Sequence, residues 1–368
     1  MVSKVFYTDF RVTPKRNLFS KLDTLLERAG IKSKIKQNQL VAIKLHFGEK
    51  GNTSYIRPIF IRKIVDKVRE SQGKPFLTDT NTLYTGSRGE AVSHLTTAIE
   101  NGFAYSVAGA PLIIADGIRG NTTRQVKIEK PIYPEVSIAA EIVNADSIIC
   151  ITHFKGHDLS GFGGTLKNLG MGCASRKGKL EQHSTITPKI DEQLCIGCQE
   201  CQAFCSFGAI SMLNEKAKID PEICQGCGEC IIVCSQDAVK IQWTDDSIMF
   251  QKKLVEYAYG ALKGKEKKSV FLNFIMQVSP ACDCWNYSDL PIVEDVGIVA
   301  SIDPVAIDQA SVDLVNDQLG NPNSALKSCH NKGQDKFRGV YPRIDWKVQL
   351  KYGEEIGLGS RRYELIKI

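Results

Sequence analysis

Ile190 to Ile210 reads IDEQLCIGCQECQAFCSFGAI, and Ile219 to Val239 reads IDPEICQGCGECIIVCSQDAV, so one segment is repeated at an offset of 29 residues. Each copy carries the run C-x2-C-x2-C-x3-C, the spacing that holds 4Fe-4S clusters. A cubane needs four thiolates at the corners of a tetrahedron. A tight loop supplies three of them, and the fourth comes from the other copy. The spacing therefore assigns Cys195, Cys198, Cys201 and Cys234 to one cluster, and Cys224, Cys227, Cys230 and Cys205 to a second. Small residues at Gly197, Gly226 and Gly228 allow backbone amides to approach the sulfurs.

The competing reading is a pair of zinc knuckles, since C-x2-C pairs also bind zinc. Two identically spaced four-cysteine runs favour iron, and two adjacent clusters suit electron passage better than a structural staple. Ser206 and Ser235 stand where the bacterial ferredoxin run has proline after the fourth cysteine, which changes the loop's stiffness and not its ligands.

Outward from this segment the composition changes. Lys189 to Trp243 holds eight acidic residues and four lysines, a local net of −4 within a chain of +6, so the remainder carries +10. Thirteen cysteines stand in 368 residues that are 43% apolar and 24% charged, the make-up of a globular protein. The mild charge does not indicate nucleic acid. The opening MVSKVFYTDF lacks the pattern of a secretory leader, and uncharged stretches such as Phe103 to Ala115 are too short to span a bilayer. The expectation is a cytoplasmic protein with reduced thiols, where clustered cysteines bind metal.

On both sides of the cysteine segment, short apolar runs alternate with helix-like stretches, the pattern of an α/β fold with a mostly parallel sheet. Expected strands are Leu40 to Leu45, Pro75 to Asp79, Leu112 to Ala115, Ser147 to Ile151 and Val270 to Met276. Helices are expected after Leu18 up to Gly30, from Pro58 to Ser71 and from Ala306 to Leu319, with Asp303 capping the last ahead of Pro304. The reading is one α/β domain over residues 1–188 and 244–368, with a small α+β two-cluster ferredoxin-like domain inserted at 189–243. Two sequential α/β domains would give the same string.

Ile151 to Ser184 reads ITHFKGHDLSGFGGTLKNLGMGCASRKGKLEQHS directly after an apolar strand, where α/β folds bind ligands. Gly161, Gly163 and Gly164 with Lys155 are candidates for an anionic cofactor or substrate, and His153, His157 and Lys167 for catalysis. Gly170, Gly172, Arg176, Lys177, Lys179 and His183 share the loop, and a flexible basic loop is the bland alternative. Cys282 and Cys284 follow another apolar strand and are candidate ligands of an additional metal, with buried thiols as the alternative. Cys150 reads as core packing. His46, Gly48 and Glu49, with Asp79, Thr80, Asn81 and Tyr84, fit a shared crevice or, for Asp79 to Asn81, turn and cap chemistry.

The stretches HFGEKGNTSYIRP, TDTNTLYTGSR, THFKGHDLSGFGGTLKNLGMGCASRKGKLEQH, CDCW and GIVASIDPVAIDQASVDLV together resemble the domain of unknown function 362, in its form as iron-sulfur centre proteins. The resemblance covers essentially the whole chain. It implies a cytoplasmic protein of an anaerobe that carries an inserted two-cluster ferredoxin module on the eight cysteines between Cys195 and Cys234, and it implies no substrate. The expected function is an oxidoreductase that takes electrons from, or gives them to, a ferredoxin- or flavodoxin-like partner. They would pass through the clusters to a site binding an anionic small molecule. The alternative is a non-enzymatic electron carrier or iron-sulfur accessory protein that docks a partner. No nicotinamide fingerprint and no radical-SAM run is present.

Overall fold

The computed structural model describes residues 2–184, 187–242 and 246–368. The expected border at Trp243 and Thr244 lies outside these residues. Eight strands form the central sheet: β1 (Ser3–Asp9), β2 (Leu40–Lys44), β3 (Lys74–Asp79), β4 (Leu112–Ile114), β5 (Ser147–His153), β6 (Ser269–Ile275), β7 (Gly297–Ser301) and β8 (Tyr363–Lys367). Their order is β8-β1-β7-β6-β5-β2-β3-β4. All neighbours run parallel except β7, which is antiparallel to both β1 and β6. The fold class is thus α/β with a mostly parallel sheet, and the sheet takes strands from both sides of the cysteine segment.

Both faces of the sheet are covered, which is why its central strands read as continuous apolar runs. Successive residues of β5 enter opposite cores: Ile148 and Cys150 face one, Ile149 and Ile151 the other. Helices α1 (Leu18–Arg28) and α2 (Pro58–Glu70) bury Leu22, Leu25, Leu26, Ile61, Ile64 and Val68 on the second face. Three helices, α3 (Thr165–Gly170), α4 (Ser247–Leu262) and α5 (Pro304–Asn316), cover the first. The Asp303 carboxylate caps α5 by accepting from the Val305 and Ala306 amides at 2.9 Å, with Pro304 in the first turn. Helix α2 ends at Glu70, with Ser71, its expected last residue, as the C-cap. Gln72, at φ 59°, makes the left-handed turn, while Gly73 serves close packing, since a Cβ there would stand 2.8–3.1 Å from Ile35, Val68 and Val41.

Strands β1, β7 and β8 were not expected. β1 and β8 lie at one edge, where half-exposed residues give a weak apolar signal, and β7 is hidden by its glycine start. The expected Ala306 to Leu319 helix begins at Pro304 and ends at Asn316.

The cysteine segment forms two small antiparallel pairs, Lys189–Ile190 with Val239–Lys240 and Ile210–Leu213 with Lys216–Ile219, and two one-turn helices, Glu200–Ala203 and Glu229–Val233. It has its own apolar core of Ile210, Ala217, Ile231, Ala238 and Val239, joined by Leu83 and Leu180 from the α/β part. The 29-residue repeat is reproduced in the backbone. Gly197 and Gly226 both adopt positive φ, as do Gln199 and Gly228, the residues ahead of the two short helices.

Candidate functional site

The chain reverses its direction of travel across the sheet between β2 and β5, because β3 and β4 are added on one side and β6 on the other. Ligands of open α/β sheets bind beyond the carboxyl ends of the strands at such a point. The loops after β2, β3, β5 and β6 converge there, around Cys282, Asp283 and Cys284.

Asp283 is fully buried. Its carboxylate accepts from His153 Nδ1 at 2.9 and 3.0 Å, pairs with Lys155 Nζ at 3.2 Å, and accepts from Ser54 Oγ at 3.4 Å. Burial alone would raise the Asp283 pKa, but the His153 and Lys155 charges hold it far below the usual carboxylate range. The other ring nitrogen of His153 faces the Met276 carbonyl at 2.8 Å. Both nitrogens therefore meet acceptors, and the ring satisfies both only as a doubly protonated donor. His153 ties β5 to the Cys282 loop and keeps no lone pair for a metal.

His157 is held the opposite way round. Its Nδ1 accepts from the Leu159 and Ser160 amides at 3.2 Å and lies 3.0 Å from Ser160 Oγ. That fixes the proton on Nε2, and the ring hydrogen-bonds the Cys282 sulfur. Burial, and next the Lys167 charge, lower the His157 pKa and keep the ring neutral. Lys167 Nζ donates to Cys282 Sγ at 3.2 Å, and the Cys284 amide donates to the same sulfur at 3.4 Å.

The two thiols share one hydrogen bond. Donation from Cys284 lowers the Cys282 pKa well below that of an ordinary thiol against the cost of burial, and Lys167 and His157 add to it. The same bond and burial raise that of Cys284. One proton leaves this pair easily and the second with difficulty. Burial opposes the Lys167 charge, yet the two sulfurs outweigh it and raise its pKa. Cys282 is buried, while Cys284 and Lys167 are half-buried.

The structure thus brings together four expected residues, His157, Lys167, Cys282 and Cys284, with Lys155 and Gly163 behind them. Lys155–His157 pairs with Gly161–Gly163 as a hairpin, and Gly163 lies against the Lys155 and Lys167 stems. Gly164 does not open onto a ligand. A Cβ there would overlap the Asp308 carboxylate, which accepts from the Thr165 and Leu166 amides at 2.7 and 2.9 Å. The anion at this helix start is the chain's own. Gly161, at φ 75°, turns the hairpin against Trp346, and Gly170 lets α3 approach the Leu254 carbonyl of α4. His183 stacks on Phe250, the ring that also stacks with His157.

Sequence reasoning missed Lys44, Arg88 and Asp308. Lys44 Nζ pairs with Asp79 at 2.9 Å, and Arg88 with Glu49 at 3.0 Å and Asp79 at 3.7 Å. A lysine closing the apolar strand LVAIK was a signal for the first; Arg88 has none. Asn81 donates to Asp116 at 3.0 Å, and the Tyr84 hydroxyl donates to the Cys284 carbonyl at 2.8 Å.

The eight repeat cysteines line two cavities. Cys195, Cys198, Cys201 and Cys234 surround one, and Cys205, Cys224, Cys227 and Cys230 the other. The Ala209 and Ala238 amides, equivalent by the repeat, donate to Cys205 and Cys234 at 3.3 and 3.1 Å. Among the described residues no three His, Cys, Asp or Glu side chains close around a single metal ion, and this includes the surroundings of Cys282 and Cys284.

The family match spans residues 41–313, well over half of the chain, and is to the "Domain of unknown function (DUF362)". The chain belongs to that family. In this DUF362 protein the matched residues include both cysteine repeats, the β5 loop and the Cys282 loop. No curated protein matches the sequence. Among solved structures, the lactate racemase apoprotein from Thermoanaerobacterium thermosaccharolyticum is similar at a TM-score of 0.38 and 11% identity, over 87% of this chain and 60% of that one. A Thermotoga maritima protein is similar at 0.38 and 10%, over 80% and 56%. The DUF362 chain therefore spans little over half the length of these two, and neither likeness carries an argument. No helix of the described residues is long and apolar enough to cross a membrane.

Proposed function

We propose that this DUF362 protein is an iron-sulfur oxidoreductase that relays single electrons through two 4Fe-4S clusters to the thiol site of its α/β domain. One observation carries the reading: each four-cysteine cavity takes three thiols from one repeat and the fourth from the other, the exchange that two-cluster ferredoxins use. The donor set fits the group. All eight ligands are thiols, equivalent amides donate to the exchanged sulfurs, and the loops turn through matched left-handed residues. Thiols that ring a cavity suit a cubane, which spreads its ligands more widely than a single zinc ion does. When bound, such clusters accept and release one electron each.

The chain's own residues give the relay a direction. Around the first cavity Cys198 is exposed and Ile196 beside it is 65% exposed, which suits contact with an external ferredoxin- or flavodoxin-like partner. One wall of the second cavity adjoins the α/β part. Gly228 in its wall packs against Leu83 and the Arg176 stem, each 3.2 Å from where a Cβ would stand. Arg119 pairs with Glu229 at 3.6 Å and covers the Phe204 ring at 4.6 Å. Leu83 opens the short loop whose Tyr84 and Arg88 reach the Cys282 loop, Arg88 donating to the Tyr84 hydroxyl at 2.8 Å and Tyr84 to the Cys284 carbonyl. One loop therefore connects the wall of the second cavity with the thiol pair. Half-buried Lys167 supplies positive charge for an anionic substrate or cofactor at that site.

Anaerobic metal analysis with EPR after dithionite reduction tests the reading. About eight irons with interacting reduced-cluster signals are expected. Zinc in place of iron, with no EPR signal, overturns it.

A further inference from the structure

The thiol pair lies outside both four-cysteine cavities, and its surroundings are built for a different chemistry from metal binding. Cys282 Sγ receives donors from three sides: the Lys167 ammonium, the Cys284 amide and the His157 ring, whose Nδ1 contacts leave only its N–H to offer. This is the environment of a thiolate. The second thiol stands two residues away on the same loop and is a further donor to the Cys282 sulfur. Between them Asp283 is locked by His153, Lys155 and Ser54, so the loop presents both sulfurs from a fixed base.

We propose that Cys282 and Cys284 form a reversible dithiol/disulfide centre, the two-electron end of the relay. This inference rests on the cluster reading above for its electron source. In the reducing direction two electrons, which the two clusters would supply one each when bound, break the sulfur–sulfur bond. One proton from solvent adds to half-buried Cys284, and Cys282 remains as the thiolate beside Lys167. In the oxidising direction the Cys282 thiolate and Cys284 thiol form the bond, and two electrons and that proton leave. The centre converts single-electron delivery into a two-electron step, which two clusters alone do not do at one atom. Lys167 acts as the counter-charge of the reduced pair, and His157 as its neutral donor.

The sequence makes the test clean, because the tryptic fragment Ser269 to Lys327 contains Cys282 and Cys284 and no other cysteine. Anaerobic full-length protein is treated with diamide, blocked with iodoacetamide, digested and weighed. The fragment is expected to lack both carbamidomethyl groups and to be lighter by two hydrogens, and dithiothreitol is expected to restore two alkylatable thiols with a two-electron dependence on the dithiothreitol redox ratio. Two alkylated cysteines after diamide, or a cross-link from this fragment to another, overturns the proposal. In Lys167→Ala, alkylation of Cys282 at pH 7 is expected to slow at least about tenfold, since a thiol and not a thiolate is then attacked, with iron content unchanged and Lys167→Arg restoring the rate. An unchanged rate removes Lys167 from the centre. These reagents act without the clusters. A disulfide in protein that lacks iron keeps the thiol centre and removes the relay, and iron with inert thiols does the reverse.

Discussion

Replacing Asp283 by asparagine removes one charge from the base of the site and almost none of its shape. The carboxylate it removes faces His153 at 2.9 and 3.0 Å and Lys155 at 3.2 Å, all out of water. A charge pair about 3 Å apart at an effective dielectric near 20 is worth about 5 kcal/mol. Part of this returns because an amide costs less to bury than a carboxylate. The loss falls on His153 and Lys155, the two groups that face the carboxylate. The net expectation is the cost of breaking a buried pair, about 3–5 kcal/mol. Urea unfolding followed by tryptophan fluorescence reads it, with exposed Asp289→Asn as control at under about 0.5 kcal/mol. The pH dependence gives an independent sign. The Asp283 pKa is lower folded than unfolded, so its contribution is fully present above the unfolded value near about 3.9 and is lost as pH falls below it. The gap between wild type and Asp283→Asn is therefore expected to shrink between about pH 5 and pH 3. A shift below about 1 kcal/mol at pH 7, or a gap that widens in acid, refutes the buried-pair account.

Three further outcomes follow from the same geometry. Cys234→Ser is expected to lose about four of about eight irons, and the same set that Cys198→Ser loses, since both line the first cavity; loss of the set tied to Cys224 by iron analysis and EPR would sink the exchanged pairing. Gly170→Ala is expected to cost about 1–3 kcal/mol in urea unfolding, because the new methyl overlaps the Leu254 carbonyl, and a neutral result would mean that α3 and α4 separate freely. Burial raises the Asp308 carboxyl to about 6. Such a group's favourable contribution is fully present below the unfolded value and is lost as pH rises through the folded one. Wild-type stability is therefore expected to fall relative to Asp308→Asn between about pH 4 and pH 7, by about 3 kcal/mol for two pKa units, and a difference that is flat with pH would contradict it.

Much of the fold was legible because its central strands are buried on both faces. Leu40 to Lys44, Ser147 to His153 and Ser269 to Ile275 announce themselves as apolar runs whatever their neighbours are. Ser3 to Asp9 and Tyr363 to Lys367 were not legible, because a half-exposed edge strand has neither a continuous run nor a strict alternation. Their place was fixed by pairing with each other, a contact between opposite ends of the chain. The repeat was legible for a different reason, since a covalent spacing of sulfurs is copied into the structure without any help from packing.

The site was legible in its residue types and not in its pairings. The sequence places three histidines, several lysines and a row of glycines in one stretch, and spacing alone treats them as one anion cradle. Packing divides them. Asp308, more than a hundred residues away, supplies the anion for the Thr165 and Leu166 amides, and Gly164 is the space its carboxylate occupies. Asp283 takes both His153 and Lys155. With those charges matched internally, the half-buried cation left against a sulfur is Lys167, and the neutral ring beside it is His157. Pairing of charges inside the fold, which no local spacing encodes, is what moves the proposed reactive centre from the glycine row to the Cys282 and Cys284 sulfurs. Those sulfurs are the groups in this part of the site whose bonding changes with electrons and not only with protons.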